Sequence, residues 1–304
     1  YCDLSNGLMM IKEFLNYLQY ERNRSALTVK SYGEDARAFE SYFKNLDTHL
    51  SWESVDSDII RDWMESMMDK GNTAASINRR LSAVRSLYRF ALSRGFVEHD
   101  PSRGVFGPKK NLSLPYFLRE EEMDRLLDPE RWSDAYGDVC LRTMLMVFYE
   151  TGVRLSELTG LDNASVDLAN SELKVTGKRN KQRVIPFGDE LRETLCTYIY
   201  KRDAEVSGVD GVEDAFFLTS KGRRFSNATV RQKVKAALAT VCTLKKRSPH
   251  VLRHSFATAM LNHDAGLESV RKLLGHESLS TTEIYTHTTF EQLKRVYSNA
   301  HPRA

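Results

Sequence analysis

A stretch without helical or strand periodicity lies about a third of the way along the chain, and it constrains the fold more than any other sequence feature. Residues 99–118, HDPSRGVFGPKKNLSLPYFL, contain three prolines, and proline ends helices and cannot donate to a strand ladder. Aperiodic stretches with proline and glycine are typical of linkers between domains. We therefore predict two domains, over residues 1–107 and 115–304, joined by a linker over residues 108–114.

The first domain is predicted to be helical, because its apolar residues recur at helical spacing. Ser25 and Thr28 lie near one predicted helix start, and Ser57 lies just before another, as capping residues do. Gly71 and Gly95 follow two predicted ends, where glycine is favoured. The four predicted helices cover residues 8–18, 28–46, 57–70 and 74–95.

The second domain is predicted to mix helices with a small sheet. Residues 172–187, ELKVTGKRNKQRVIPF, alternate as a strand, a basic turn and a second strand, which is a hairpin pattern. Ser248 and Pro249 suit the N-cap and the first position of a further helix. The fold class is therefore mostly α with a small β-sheet. The predicted helices include residues 119–128, 140–152, 189–203, 248–264 and a short amphipathic segment within 290–304.

Composition and apolar patterning favour a globular protein outside the membrane. Hydrophobic residues make up 41% and charged residues 28% of the chain, and no apolar run approaches the roughly 20 residues that a membrane-spanning helix needs. The first residues lack a basic segment followed by an apolar core, so we expect a cytoplasmic protein. The four cysteines form no C-x-x-C pair, which argues against a zinc site and a disulfide framework.

Three basic segments in the second half favour a polyanionic partner. Residues 221–235 contain six Lys or Arg and no acid, residues 177–183 contain four, and residues 245–247 are all basic. A single run of this kind is as well explained by a solvated surface. Their concentration in one half of the chain, rather than the net charge of +3, favours nucleic acid.

Six polar residues of the second half stand at predicted element ends or turns. Taken singly, each has an ordinary explanation, such as an ion pair between Arg154 and Glu157. His250 shares a helix face with Arg253 by its spacing, and His254 satisfies the spacing rule equally well, so spacing leaves both alternatives open. The six candidates are Arg154, Lys178, His250, Arg253, His276 and Tyr285.

The segments that carry these residues form a recognisable series. TGVRLSEL, VTGKRNKQRVIP, HVLRHSFAT and LLGHESLSTTEIYTH resemble, in order and spacing, the signature of the tyrosine recombinases, the phage-integrase and Xer family of site-specific DNA recombinases. The resemblance covers nearly the whole chain, with the first domain similar to the family's core-binding domain and the second to its catalytic domain. It selects Arg253 over His254 as the second arginine.

The resemblance implies a reaction at DNA phosphodiesters. Tyr285 would attack the phosphorus and form a 3′-phosphotyrosine, and a 5′-hydroxyl would later reverse the step. Arg154 and Arg253 would bind the non-bridging oxygens, and Lys178 would protonate the departing 5′-oxygen. His250 would accept the tyrosine proton, and His276 would hydrogen-bond the phosphate. We expect the polar segment between His276 and Tyr285 to let the tyrosine swing into the site.

The resemblance also implies partners and cofactors. Two domains would close around the duplex as a clamp, and a tetramer of one recombinase, or of two different ones, would exchange strands between two sites through a Holliday junction. The resemblance leaves open whether a partner recombinase or a DNA translocase is needed. Neither a metal nor another cofactor is expected. The roughly 110 residues before the catalytic half favour a simple Xer-like architecture. The C-terminal helix could pack in cis on its own domain or dock on a neighbouring protomer, and family habit favours docking.

Basic and polar residues outside the six candidates are predicted to contact DNA. The segment over residues 74–90 is the candidate major-groove element, while the other positions are expected to contact phosphates, which position a protein without specifying a sequence. These residues are Asn78, Arg79, Arg80, Arg85, Lys109, Lys110, Arg179, Lys181, Arg223, Arg224 and Arg231.

Two other classes of protein share parts of this pattern. A type IB topoisomerase uses nearly the same chemistry to relax supercoils, and a DNA-binding protein without activity can keep the same fold. The two-domain pattern favours recombination over the first, and the complete set of six residues argues against the second. Chromosome-dimer resolution, plasmid resolution and integration of a mobile element all fit the resemblance.

Overall fold

The computed structural model describes residues 2–109, 116–177, 180–275 and 287–303, and it divides the chain into two compact units. The units are Tyr1–Ser113 and Leu114–Ala304, and each has a hydrophobic core of its own. In the part of the chain that is described, no helix is long and apolar enough to cross a membrane.

The first unit contains the four predicted helices. These are α1 (Cys2–Asn16), α2 (Ala26–Leu46), α3 (Ser57–Asp69) and α4 (Ala74–Ser93), and a π-helical turn extends α1 over Tyr17–Glu21. Their apolar faces meet in an aromatic-rich core that includes Phe14, Phe39, Trp63 and Tyr88.

Local capping chemistry determines where two of these helices begin. The Ser25 hydroxyl accepts a hydrogen bond from the Thr28 backbone N–H at 3.3 Å, which confirms the predicted cap of α2. The prediction that Ser57 precedes α3 was wrong by one position. Asp56 is the N-cap, because its carboxylate accepts from the N–H groups of Asp58 and Ile59 at 2.9 Å, and a carboxylate satisfies two exposed donors where a hydroxyl accepts less strongly.

The second unit is mostly α-helical around a three-stranded antiparallel sheet, as the predicted fold class requires. Leu173 pairs with Ile185 and Thr176 with Gln182, which confirms the predicted hairpin. Strand β1 has only two residues, too few to show periodicity. The elements are α5 (Glu120–Leu127), α6 (Tyr136–Thr151), α7 (Leu155–Thr159), β1 (Val166–Asp167), β2 (Glu172–Thr176), β3 (Gln182–Pro186), α8 (Asp189–Glu205), α9 (Asn227–Ala239), α10 (Pro249–Asn262), α11 (Leu267–Leu274) and α12 (His287–Ala300).

Helix α6 is the centre of the second unit. Every residue from Cys140 to Thr151 except Leu141 and Arg142 is buried, because α6 packs against both α8 and α10. A helix that is apolar on all sides needs neighbours on all sides. The C-terminal end of α6 therefore provides a rigid base for the residues that follow it.

Helix α12 packs within its own chain. Leu293, Tyr297 and Ala300 belong to the core of the second unit, and the helix contacts α10, α11 and β3. The apolar face of α12 is therefore buried in cis in the single chain, and docking on a neighbouring protomer stays a prediction. Burial of the apolar face of α12 in cis satisfies the same hydrophobic demand that a partner would satisfy.

Candidate active site

Arg154 lies where α6 ends and α7 begins. The turn needs glycine at position 152, because Gly152 has a φ of 58° and an added Cβ would lie 2.5 Å from the Phe256 ring. Arg154 is the N-cap residue of α7, and its guanidinium donates to Glu157 Oε1 at 2.7 Å and to the Gly275 carbonyl at 3.0 Å. About a third of the side chain, 34%, stays exposed, so Arg154 is accessible from solvent.

Arg253 approaches the same place from α10. Its side chain is buried, and its two terminal nitrogens donate to the carbonyls of Gly152 and Leu274. Burial, together with the nearby charges of Arg154 and Arg183, lowers the pKa of Arg253 to about 9. The group still carries its charge at neutral pH, and the charged guanidinium of Arg154 is close enough to contribute to the lowered pKa.

His250 lies in the first turn of α10, and its side chain is exposed. Partial desolvation of the ring lowers its pKa below the usual 6.5, and the charges of His254, Arg253, Arg231 and Arg154 act in the same direction. The neutral imidazole, which can accept a proton, is therefore the favoured form at pH 7. His254 is also exposed.

Glu157 accepts hydrogen bonds from two arginines. Besides Arg154, the buried Arg183 donates from both terminal nitrogens to the two carboxylate oxygens, at 2.8 and 2.9 Å. Burial of Glu157 acts to raise its pKa, but the hydrogen bonds and charge of Arg183, followed by the contacts with Arg154, outweigh it and lower the pKa to about 2. Glu157 is therefore a permanent anion beneath Arg154.

Sequence reasoning counted Arg183 only as part of a basic run and missed its place in the site. A usable signal was present, because side chains alternate between the two faces of a strand. In β3, Arg183 shares a face with the apolar Ile185 and is buried like it, while Gln182 is exposed. An arginine on the inward face of a strand needs a buried partner, and Glu157 is that partner.

Lys178, His276 and Tyr285 lie outside the described residues. The described residues next to two of them do converge. An added Cβ on Gly177 would lie 3.3 Å from Glu157 Oε1, and one on Gly275 would lie 3.1 Å from the Arg183 side chain. The segments that lead into residues 178 and 276 therefore start beside the ion pair of Glu157 and Arg183.

The predicted DNA-contact residues of α4 have partners inside the first unit. Asn78 donates to the Ala74 and Pro108 carbonyls at 2.7 and 2.8 Å. Arg79 pairs with the buried Asp35, and Arg80 lies 3.9 Å from the same carboxylate. The Arg85 guanidinium donates to the Val105 carbonyl. These contacts tie α4 to α2 and to the chain that follows α4.

The remaining predicted contacts fall into two groups. Arg224 donates to the carbonyls of Thr159 and Leu161 at 2.9 Å, and Arg223 lies 3.4 Å from Glu213. Arg223 is nevertheless exposed, as are Lys109, Lys181 and Arg231. Lys110 and Arg179 lie outside the described residues.

Both units match family models. Residues 116–292 match the model described as the phage integrase family. Residues 11–95 match the model described as the phage integrase, N-terminal SAM-like domain.

Curated relatives are similar over nearly the whole chain. Tyrosine recombinase XerC of Chlorobaculum tepidum is 39% identical over 315 residues, which cover 96% of this chain and 94% of that protein. Tyrosine recombinase XerD of Oceanobacillus iheyensis is 34% identical over 294 residues, which cover 97% of this chain and 98% of that protein.

A solved structure shows the same fold. The XerH site-specific recombinase, in a post-cleavage complex with its palindromic difH substrate, superposes with a TM-score of 0.70 at 22% identity, over 95% of this chain and 84% of that one. The chain therefore belongs to the phage integrase family of tyrosine recombinases, enzymes that cleave and rejoin DNA through a tyrosine intermediate. The family resemblance and the fold class predicted from the sequence are both confirmed.

Proposed function

We propose that this chain recombines double-stranded DNA at a specific site, with Tyr285 as the nucleophile. The assignment of roles rests on one observation: the guanidiniums of Arg154 and Arg253 both donate to backbone carbonyls at the ends of two helices. Arg253 donates to Gly152 and Leu274, and Arg154 donates to Gly275. Gly152 follows the central helix α6, and Gly275 directly precedes His276 in the sequence.

The two arginines bind the non-bridging oxygens of the scissile phosphate. A guanidinium presents its donors in a planar fork that suits phosphate oxygens, and charge grows on those oxygens as the tyrosine attacks. Because the donors are held in place before the reaction, they stabilise the transition state without reorganising. Loss of one such contact typically costs on the order of 10²- to 10³-fold in rate.

His250 and Lys178 move the protons. The tyrosine hydroxyl has an ordinary pKa near 10, so it needs a base, and the lowered pKa of His250 keeps its imidazole available at neutral pH. Lys178 donates a proton to the 5′-oxygen as the P–O bond to it breaks, and His276 donates a hydrogen bond to the phosphate. The phosphotyrosine preserves the energy of the broken bond, so rejoining needs no ATP.

The proposed assembly is a tetramer on two DNA sites, composed of this recombinase alone or with a second one. Strands are exchanged one pair at a time through a Holliday junction. Residues 1–107 form the core-binding domain, residues 115–304 the catalytic domain, and residues 108–114 the linker. The exposed Lys109, Lys181 and Arg231 are the described side chains best placed to reach phosphates.

The test is capture of the covalent intermediate. Purified protein is incubated in EDTA, without ATP, with a library of nicked duplexes whose cleaved end diffuses away, and trapped complexes are resolved on a denaturing gel and sequenced. We expect an adduct at one sequence, and we expect none with Tyr285→Phe, because phenylalanine lacks the attacking oxygen.

Each alternative has its own signature in this experiment. An adduct spread over many sequences, with relaxation of supercoiled DNA, would replace recombination by topoisomerase-like activity. Tight binding without any adduct would make the chain a non-enzymatic DNA-binding protein. An undiminished adduct in Tyr285→Phe would remove Tyr285 from the proposed role.

A further inference from the structure

Arg183 touches three chain segments that carry proposed catalytic residues. It lies in β3, in the hairpin whose turn contains Lys178. Its terminal nitrogens bind Glu157, the acid that also binds Arg154. Its Nε donates to the Leu273 carbonyl at 2.9 Å, in the last turn of α11 before His276.

The Glu157 carboxylate is saturated by this arrangement. Oε1 accepts from Arg154 Nη1 at 2.7 Å and from Arg183 Nη1 at 2.8 Å. Oε2 accepts from the Arg154 backbone N–H at 2.7 Å and from Arg183 Nη2 at 2.9 Å. Both arginines donate to both carboxylate oxygens. A movement of Arg183 would therefore shift the Glu157 carboxylate, and this carboxylate orients Arg154.

The backbone at Gly275 leaves room for the Arg183 side chain. Gly275 has a φ of 64°, and an added Cβ there would come within 3.1 to 3.2 Å of three Arg183 side-chain atoms. The Gly275 carbonyl in turn accepts from Arg154 at 3.0 Å. Gly275 therefore lies close to the Arg183 side chain and is hydrogen-bonded to Arg154.

Arg183 has little access to a substrate. Its side chain is only 7% exposed, against 34% for Arg154. Its Nε and both of its terminal nitrogens each donate to an acceptor within the protein.

We propose that Arg183 is a positioning residue for DNA cleavage, which fixes Arg154 through Glu157 and fixes the segments leading to Lys178 and His276 through β3 and Leu273. The inference rests on the proposed function. It adds a buried arginine that acts on the reaction without touching the DNA.

The test compares Arg183→Lys with a matched buried arginine. Lysine keeps the charge but has neither the planar fork nor the second set of donors, so it cannot bind Glu157 and the Leu273 carbonyl together. The control is Arg202→Lys in α8. Arg202 is 8% exposed, and its partners are the side chains of Asn163 and Asp203 and the Phe216 carbonyl.

Three quantities are measured for each protein: the single-turnover rate of covalent adduct formation at saturating protein, the Kd for DNA, and the midpoint of thermal unfolding. Misplacement of reacting groups by about 1 Å can cost about 10²-fold in rate, so we expect roughly that loss in Arg183→Lys. We expect its Kd to stay within about threefold of wild type, because a buried side chain makes no phosphate contact. The control should keep the wild-type rate even where its unfolding midpoint drops.

A double-variant cycle separates positioning from general loss of stability. If Arg183 acts through Glu157, the pair behaves as one unit. Glu157→Gln added to Arg183→Lys should then slow cleavage by less than about threefold more. Multiplication of the two single effects would overturn the proposal, as would an Arg183→Lys rate within about threefold of wild type.

Two further outcomes are decisive. If Arg183→Lys does not fold, Glu157→Gln alone takes its place. A wild-type rate of cleavage in Glu157→Gln overturns the proposal, and a loss of about tenfold or more supports it. If wild type forms no adduct, the proposed function fails and this inference fails with it. A wild-type adduct with an equally active Arg183→Lys overturns the inference alone.

Discussion

Arg224 and Arg231 belong to the same basic segment, and the structure gives them different surroundings. Arg224 donates to the carbonyls of Thr159, Leu161 and Asp214 and pairs with Asp162. Arg231 is exposed on α9, and its charge contributes to the lowered pKa of His250. It therefore lies on the surface near the proposed phosphate site, while Arg224 holds loops together.

At the residue scale, Arg231→Gln should weaken DNA binding by loss of one phosphate contact. Each neutralised phosphate contributes about 0.9 to the slope of log K against log salt, so the slope should fall by about 1 with little change in target sequence. Binding is measured by titration of a labelled site at several salt concentrations.

The matched control is Arg224→Gln, which removes the same charge from the same segment. It leaves several acceptors without donors, and we expect a loss of at least about 1 kcal/mol in the free energy of unfolding. A salt slope in Arg231→Gln equal to that of wild type would remove Arg231 from the DNA interface.

At the element scale, the contact between α12 and α6 contains a buried acid. Glu150 is fully buried, and its Oε2 accepts from the Tyr297 hydroxyl at 3.4 Å. Oε1 has no hydrogen-bond partner among the described residues. Burial, and then the charge of Glu190, raise the pKa of Glu150 well above its usual value. The His301 ring stacks on the Tyr297 ring, with the two ring centroids 5.1 Å apart.

The packing of α12 should therefore weaken as pH rises. Because the folded state raises the pKa of Glu150, the folded state binds a proton more tightly than the unfolded state above about pH 4.5. Stability contributed by this group is fully present below the unfolded pKa and is lost as pH rises towards the folded one. Glu150→Gln, which has no proton to lose, should gain stability relative to wild type between pH 5 and about 8.

Urea unfolding at a series of pH values measures this difference. Glu193→Gln is the control, because Glu193 is exposed on α8 and its replacement should leave the pH dependence of wild type unchanged. A Glu150→Gln protein whose stability relative to wild type decreases from pH 5 to pH 8 would show that Glu150 is ionised in the fold.

At the scale of the whole molecule, the described residues form two hydrophobic cores. One is built from residues between Met10 and Val105, and the other from residues between Leu118 and Ala300. Neither core cluster contains residues of the other unit. A unit that buries its apolar residues within itself has what it needs to fold alone.

We therefore expect a fragment over residues 114–304 to unfold cooperatively by itself. The sheet, α6 and α12 all lie within it, so its circular dichroism should show one sigmoidal thermal transition. The matched comparison is a fragment over residues 114–290, which lacks most of α12. It loses the buried Leu293 and Tyr297, and large core truncations typically cost about 2 to 5 kcal/mol each in the free energy of unfolding. We therefore expect the shorter fragment to be less stable by several kcal/mol. A non-cooperative transition in the longer fragment would show that its core depends on the first unit.

Much of the fold follows from local pattern, because helices and hairpins are specified by residues close together in the chain. The four helices of the first unit and the hairpin of the second were predicted for this reason. Helix α9 was not predicted. The basic residues of segment 221–235 obscure the helical spacing of its apolar Val230, Val234 and Leu238. The Asp56 cap of α3 shows the limit of such reading, since a serine next to an aspartate leaves the boundary open by one residue.

The sequence by itself determined the family, because the family signature depends on the order and spacing of residues along the chain and needs no distances in space. The six residues of the signature are Arg154, Lys178, His250, Arg253, His276 and Tyr285. Tertiary structure alone decided that Arg183 faces Glu157, that Arg224 serves the fold while Arg231 faces solvent, and that α12 packs in cis. The physical reason is the same in each case. These outcomes depend on burial and on partners distant in the chain, and local periodicity carries no information about which distant groups will meet.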